Sequence, residues 1–376
     1  GRLTSVSLVE TVTVSDREFL SSIAPDKAQQ SILERYRLHS LLRLFAREKF
    51  ASDPALMNQR LIDYYIQLTH RYRQQGYRLL DLDWGNIERS LAWLQAHHHW
   101  PQVTEMLNNL TFVNLGILGF LDARGYWLKA QYWLEALLRQ PTTVVDIQLK
   151  AMLHLKVGAF AFRLAQFAEQ EENLRLAHEL TGQLPATDTT GLIKAYICEF
   201  MSQLLSHDDI QQGLQWSNQG IEVIRCTQAL LLMPEKGYLS IRHATNLARI
   251  GDFSSARKEI QEALIALPNY PTPARISAFI TLGRICSLQG ESADAQSYWQ
   301  RGEADAKAIG DNLRLARLWL NLAAQADERG LFTESIKYNR QALELYQRIG
   351  DVNGEGLVSS NLAFTYLVQQ GEVEVA

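Results

Sequence analysis

Residues 318–335, LWLNLAAQADERGLFTES, repeat the layout of residues 278–295, AFITLGRICSLQGESADA, 40 positions earlier in the chain. In each stretch a leucine and a small residue precede a glycine by about two helical turns, and another small residue follows that glycine. Each unit then ends on Ile-Gly-Asp, at residues 309–311 and 349–351. A fixed period of this length indicates stacked pairs of helices, so the predicted fold class is all-α.

The predicted turn within each helix pair recurs along most of the chain. The turn positions, 39 to 43 residues apart, are Gly125, Ala165, Asp208, Gly251, Gly290, Gly330 and Gly371. Small residues after a turn, such as Ala295 and Gly302, let the second helix approach the first closely. Phe167, an aromatic residue just after a turn, is predicted to lie in the core. Stacked pairs form a curved solenoid, and we expect its concave surface to bind a ligand.

The composition is that of a chain with ample apolar material for a core and little charge imbalance. Of 376 residues, 47% are hydrophobic, and the formal net charge is −4. Nucleic-acid binding needs a basic surface, so this charge argues against a direct nucleic-acid partner. No apolar run reaches the ~20 residues of a membrane span, and the N-terminus does not resemble a signal peptide. We therefore expect a cytoplasmic protein without a membrane partner.

The sequence contains no set of motifs typical of catalysis. It lacks the phosphate-binding motif Gly-x-x-x-x-Gly-Lys-Ser/Thr, the nucleophile motif Gly-x-Ser-x-Gly and the zinc motif His-Glu-x-x-His. The run His97–His99 is interpreted as a solvated helix end and not a metal site, because consecutive side chains point in different directions. The isolated thiols Cys198, Cys226 and Cys286 are predicted to be buried and reduced. We predict that the chain is not an enzyme and holds no metal or cofactor.

The part of the chain before the repeats follows other patterns. Residues 3–14 are β-branched and roughly alternating, which predicts a strand, and an amphipathic helix is predicted near Ile32–Phe50. Asp53 and Pro54 suit the start of the next helix, and Asp83 is the candidate N-cap of the one after it. Both ends of the sequence interrupt a pattern, so we expect a fragment of a larger protein.

The repeat resembles the tetratricopeptide repeat in its longer form of about 40 residues. The resemblance covers residues 113–376 and implies a right-handed superhelix of about six to seven repeats. Asn321-Leu-Ala and Asn361-Leu-Ala resemble the Asn-Leu-Gly/Ala core of the subfamily found in kinesin light chains and bacterial signalling proteins. This implies that Asn321 and Asn361 bond the backbone of a bound peptide, since a side-chain amide both donates and accepts. Alternatively, they cap or bridge neighbouring helices.

The front of the chain carries a second resemblance. Residues 35–46, RYRLHSLLRLFA, resemble the winged-helix signature of STAND-class ATPases, the NB-ARC and MalT-like regulators. The resemblance implies a winged-helix remnant at 1–50, a helical connector at 51–112 and repeats that act as a sensor. It also implies that His39 contacts ADP in an ATPase core outside this sequence, where ATP or ADP is expected. Ser40 departs from the His-Asp motif of plant relatives, and the alternative is a histidine without that role.

These features lead us to expect a sensor that binds an inducer in its groove and relays binding to the ATPase module. The inducer is expected to be a protein, a peptide or a small molecule. Further polar candidates for the groove, placed on the first helices of the repeats, are Arg284, Arg317 and Asp327. A passive tetratricopeptide scaffold or adaptor is the alternative. A free-standing peptide receptor of the Rap type, without the His39 segment, is a third possibility.

Overall fold

The computed structural model describes residues 9–14, 33–38, 54–73, 77–114, 117–141, 146–206, 208–226 and 233–369. Within these ranges the chain forms sixteen α-helices and four short strands. The helices pack as successive antiparallel pairs, which confirms the predicted all-α superhelix of repeats.

The N-terminal strands form a two-stranded antiparallel sheet. Strand β1 (Val9–Val14) pairs with β2 (Leu33–Leu38), and Val9 lies opposite Leu38. The predicted N-terminal strand is therefore present, but the helix predicted near Ile32–Phe50 is wrong over β2. Pairing with β1 gives the backbone N–H and C=O groups of this segment partners in a ladder, and such long-range pairing overrides a helical periodicity.

Three helices precede the repeats: α1 (Pro54–Arg71), α2 (Tyr77–Ala96) and α3 (Trp100–Leu110). Helix α1 begins at Pro54 as predicted. Asp83, however, is not an N-cap but lies inside α2, because burial of Tyr77 and Leu80 extends that helix by more than one turn toward the N-terminus.

The run His97–His99 joins α2 to α3, as predicted for a helix end. His97 Nδ1 lies 2.8 Å from the carbonyl oxygen of Trp93, and His98 has a positive φ of 60°. Among the described residues, no group of His, Cys, Asp and Glu side chains could hold a metal ion.

The repeats follow a short hairpin of β3 (Val113–Asn114) and β4 (Ile117–Leu118). The first helices of the pairs are α4 (Gly119–Ala123), α6 (Ile147–Arg163), α8 (Asp188–Leu205), α10 (Met233–Arg249), α12 (Pro273–Leu288), α14 (Asn312–Glu328) and α16 (Val352–Gln369). The second helices are α5 (Trp127–Leu138), α7 (Phe167–Gly182), α9 (Ile210–Cys226), α11 (Phe253–Ala266), α13 (Ser292–Ile309) and α15 (Phe332–Ile349).

The predicted turns fall between the two helices of each pair, except Gly371, which lies outside the described residues. A positive φ in the turn occurs at Gly125, Ala165, Gly251, Gly290 and Gly330. This left-handed conformation ends the first helix and reverses the chain, and it suits glycine because a Cβ atom strains it. The sequence signal of the repeat is thus a backbone requirement.

The small residues after the turns lie where the helices come closest. The buried members of the set are Ala130, Ala177, Gly213, Gly220, Ala256, Ala263, Ala295, Gly302, Ser335 and Ala342. A Cβ atom on Gly302 would lie 3.0 Å from Leu318 Cδ2 and 3.3 Å from Phe279 Cβ. Close packing of α13 against its neighbours α12 and α14 therefore requires the absence of a side chain there.

The Ile-Gly-Asp signature ends one helix and begins the next. Gly310, with φ of 69°, is the C-cap of α13, and the Asp311 carboxylate accepts a hydrogen bond from the Arg314 backbone N–H at 3.0 Å. Gly350 (φ 71°) and Asp351 repeat this arrangement between α15 and α16. The signature therefore satisfies groups that helix ends leave without partners.

Two residues predicted to be buried are exposed. Phe167 has 48% of its surface accessible, and Cys226 is also exposed, whereas Cys198 and Cys286 are buried. Phe167 is the first residue of α7 and Cys226 the last of α9. Helix ends have fewer neighbours to cover them than helix centres, which explains both differences.

The first repeat also contacts the far end of the superhelix. Arg124 Nη1 donates a hydrogen bond to the carbonyl oxygen of Gly310 at 2.8 Å, while its Nε donates to Asp81 Oδ1 at 2.9 Å. Gly125 packs directly on the backbone of Ile349. Repeats in an open solenoid touch only their neighbours. These contacts, here called the closure contact, join the first pair and α2 to the ends of α13 and α15.

Candidate functional site

The first helices of five consecutive pairs, α6, α8, α10, α12 and α14, line a cavity of ≈ 130 Å³ inside the superhelix, here called the central chamber. Its wall combines hydroxyl, amide and aliphatic side chains with five charged ones. The charged residues are Arg163, Glu199, Arg242, Arg314 and Arg317. One acidic and four basic side chains thus face a single small cavity.

Two of the arginines are held from behind by buried aspartates. Arg163 Nε lies 2.8 Å from Asp122 Oδ1, and the pair is almost fully buried. Arg314 Nη1 lies 2.7 Å from Asp311 Oδ2, within the cap that begins α14. Buried ion pairs with direct hydrogen bonds fix the orientation of the guanidinium groups.

A third arginine is paired across the chamber wall. Arg242 donates from Nε and Nη2 to Glu199 Oε1, at 3.2 and 2.9 Å, and the Tyr238 hydroxyl donates to the same oxygen at 3.1 Å. Glu199 is 1% exposed, and its Oε2 has no hydrogen-bond partner among the described residues. Burial, followed by the Glu199 charge, raises the pKa of the Tyr238 hydroxyl.

Arg317 differs from the other three arginines because, within the described part of the chain, no carboxylate forms an ion pair with it. Its side chain is open to solvent inside the chamber, and it bonds the Tyr346 hydroxyl. The surrounding protein walls lower the pKa of the guanidinium by desolvation, and the nearby charges of Arg163 and Arg314 lower it further. The Asp351 carboxylate opposes this shift without forming an ion pair, so Arg317 is the one chamber arginine that lacks a direct ion pair among the described residues.

The residues predicted from sequence do not form one site. Arg317 lines the central chamber, but Arg284 and Asn321 line neither of the two cavities described here. Arg284 is exposed on α12, and Asn321 is half-buried on α14. Because Arg317 and Asn321 are four residues apart, they share the accessible face of α14.

Asp327 and Asn361 line a second cavity, of ≈ 270 Å³, between α14, α15 and α16. The Thr365 hydroxyl oxygen lies 3.0 and 3.2 Å from the two carboxylate oxygens of Asp327, within hydrogen-bond distance of both. Phe332 and Phe364 supply apolar wall. Arg317 and Asn361, both predicted to face the groove, therefore line two different cavities.

Sequence reasoning missed Glu199 and Arg242, although a signal for both exists. Each lies nine residues before its turn, the position that Asn321 occupies in its own repeat. Thr281 holds the same position in α12 and also lines the central chamber. Lys156 holds it in α6 but is buried, and its Nζ donates to Asn108 Oδ1 at 3.0 Å. Three of the five polar residues at this repeat position, Glu199, Arg242 and Thr281, therefore line the central chamber.

Two further expectations concern the rest of the molecule. His39 lies outside the described residues, so the structure places no group around it. Of the helices that the structure describes, none combines the length and apolar character needed to cross a bilayer.

Comparison with known proteins finds similar structures but no matching sequence family. No protein-family model matches the sequence, and no curated protein does either. The structure of a Rap protein complexed with Competence and Sporulation Factor is similar with a TM-score of 0.55 and 11% identity, over 95% of this chain and 97% of that chain.

Two other solved structures are similar at lower scores. A STAND protein with a tetratricopeptide repeat sensor from Pyrococcus horikoshii has a TM-score of 0.46 and 12% identity, over 96% of this chain and 61% of that one. Aspartyl phosphate phosphatase F from Bacillus subtilis has a TM-score of 0.43 and 12% identity, over 98% and 99%. The likeness to the Rap protein and the helix pairing define the fold class, a tetratricopeptide-like helical repeat protein.

Proposed function

We propose that this chain is a non-catalytic recognition region that binds a protein or peptide ligand on the inner surface of its superhelix. The observation that carries the proposal is the central chamber, to which five consecutive repeats contribute polar and charged side chains. Concave sites with a few fixed polar groups are the usual form of a ligand site. The similar Rap protein has Competence and Sporulation Factor as its ligand, which supports the same use of the fold here.

The inner surface of the superhelix carries the hydrogen-bond donors and acceptors that an extended peptide needs. Hydroxyl and amide side chains of the wall, such as Gln203, Thr245 and Thr281, donate and accept hydrogen bonds. Asn321 and Asn361 extend this chemistry along α14 and α16, where we propose that their amides bond the ligand backbone. Arg284 and Asp327 are proposed as peripheral contacts of the same ligand.

Blocking the chamber is expected to abolish capture of the cytosolic partner. Ile280 lines the chamber, so Ile280→Trp fills space that the ligand needs and lowers capture by about tenfold or more. The matched control is Ile265→Trp on α11, where the side chain is 86% exposed and outside the chamber. Capture on immobilised protein, quantified by mass spectrometry, measures both variants.

The same assay tests the two asparagines. Asn321→Ala/Asn361→Ala weakens capture if their amides bond the ligand, while the exposed Asn353→Ala leaves it unchanged. A partner retained in full by Ile280→Trp would place recognition outside the chamber and contradict the proposal.

We further propose that ligand binding is relayed to an ATPase module of a STAND-type protein, through a connector at 51–112 that follows a winged-helix remnant at 1–50. The resemblance of residues 35–46 to the winged-helix signature supports this, and His39 would then contact ADP in that module. The closure contact gives a structural link, because Arg124 joins α2 of the connector to Gly310 of the repeats. A passive scaffold or adaptor remains the alternative, and it has no need of such a link.

Hydrogen exchange separates a sensor from a scaffold. For a sensor, ligand binding changes amide exchange around Arg124 and Gly310 and along α2, because a ligand shifts a switch by its different affinities for the two arrangements. For a scaffold, the change stays within the helices that line the groove. Comparing exchange with and without the captured partner decides between them, and an unchanged closure contact would contradict the relay.

A further inference from the structure

The four guanidinium groups of the central chamber are not equally paired. Arg163, Arg242 and Arg314 each form an ion pair with one carboxylate. Arg317 forms none in the described part of the chain, and the Asp351 carboxylate acts on it only from beyond ion-pairing distance. A guanidinium that is partly desolvated and has no direct ion pair attracts an anion, because the protein walls weaken solvent screening. Of the four chamber guanidinium groups, only that of Arg317 has no direct ion pair among the described residues.

The paired arginines also keep donors available. Arg163 uses Nε and Nη2 for Asp122, and Arg242 uses Nε and Nη2 for Glu199. Arg163 Nη1 donates no hydrogen bond within the described residues. Arg242 also bonds the Tyr238 hydroxyl, and these three bonds leave two of its five N–H groups for a ligand. Their ion pairs hold these donors in place, so an incoming anion need not order them.

The electrostatic contacts show that these arginines surround one space. Arg163 and Arg314 both act on the guanidinium of Arg317, although Arg163 ends α6 and Arg317 lies on α14. The cavity of ≈ 130 Å³ between them suits one compact polar group and not a folded domain.

We propose that the central chamber binds an anionic group of the ligand, a carboxylate or a phosphate, between Arg317 and the available N–H groups of Arg163 and Arg242. This inference rests on the proposed function, since it assigns the chemistry of the site at which the ligand binds. The carboxylate belongs to an acidic side chain or chain end of a peptide, and the phosphate to a phosphorylated ligand. Planar guanidinium groups bind either anion through paired hydrogen bonds.

Titration with inorganic phosphate and, separately, with glutarate tests the site on the wild-type chain by calorimetry. We expect millimolar binding of at least one probe, weakened by added salt. Arg317→Gln is expected to reduce that affinity about tenfold, the loss typical of one charged hydrogen bond. Binding of glutarate alone assigns the carboxylate, and binding of phosphate alone assigns the phosphate.

The matched control is Arg284→Gln, which removes an exposed arginine on α12 outside the chamber and is expected to leave affinity unchanged. Arg317→Gln retains a donor for Tyr346, and unchanged thermal unfolding verifies that the variant is folded. Failure of both probes to bind the wild type, or equal binding by Arg317→Gln, overturns the proposal. If the probes fail while Ile280→Trp still abolishes capture, the anion site is wrong and the proposed function stands. If the probes bind while capture is insensitive to Ile280→Trp, the proposed function is wrong.

Discussion

Gly125→Ala is expected to lower the free energy of unfolding by about 3 kcal/mol, with a strain component and a contact component. Gly125 has φ of 73°, so any side chain there strains the backbone. An added Cβ atom would also fall on the backbone carbonyl oxygen of Ile349, which cannot rotate away as a side chain could. The first pair must then move from the end of α15, and the closure contact opens. Denaturant unfolding measures the loss, and X-ray scattering should show a larger radius of gyration.

Gly330→Ala separates the two components of this loss. Gly330 has nearly the same φ, 70°, in the turn between α14 and α15, but an added Cβ atom would meet nothing within 4 Å. We expect a loss of about 1 kcal/mol from backbone strain alone and an unchanged radius of gyration. Equal losses in the two variants would mean that the closure contact adds nothing to stability.

Lys156→Met is expected to raise the free energy of unfolding by about 3 kcal/mol at about pH 6. Lys156 is 3% exposed, and its ammonium group has Asn108 as its hydrogen-bond partner; among the described residues no carboxylate forms an ion pair with it. Burial lowers the pKa of the Lys156 ammonium from 10.5 to about 7. Methionine fills a similar volume without a charge to desolvate, so the substitution removes the cost.

The gain in stability from Lys156→Met is expected to depend on pH, and the lowered pKa of Lys156 sets the direction. Because the pKa of Lys156 is lower in the folded chain, the unfolded chain binds more protons between pH 7 and 10.5. The cost of the buried charge is therefore fully present below pH 7 and declines as the pH rises through that window. The advantage of Lys156→Met should be largest in the acidic range and approach zero near pH 10.5.

The control for this prediction is Lys150→Met on the same helix. Lys150 is half-buried, so its ammonium group keeps contact with water, and the substitution should change stability by less than about 0.5 kcal/mol at any pH. Unfolding in urea across the pH range measures both variants. A gain for Lys156→Met that does not vary with pH would show that packing, and not the charge, limits stability.

Much of the repeat architecture could be predicted from local sequence. Gly290 and Gly330 mark turns because their positive φ is a property of a single residue. Gly310 and Asp311 mark helix ends because the cap satisfies groups within a few positions. Asp83 was misplaced because a capping residue can also lie within a helix, and burial of the preceding turn decided where α2 begins.

The candidate site could be predicted less completely from local sequence. Arg317 was found because it lies on the predicted inner face of α14, but Arg163 and Glu199, which line the same chamber, belong to other repeats. Arg284, one turn beyond the chamber wall of α12, has the same kind of sequence context and no place in the chamber. A repeat position predicts which face a side chain occupies, but not whether side chains from distant repeats meet it.

By itself, then, the sequence determined the period, the turns, the helix caps and the small residues at the closest approaches, because each depends on neighbours within one helix pair. Only the tertiary structure decided that Gly125 meets Ile349 and that arginines of α6 and α14 share one chamber. Small rotations between successive repeats add up along the superhelix. Contacts between its two ends therefore depend on the geometry of every repeat, which a local sequence pattern does not predict.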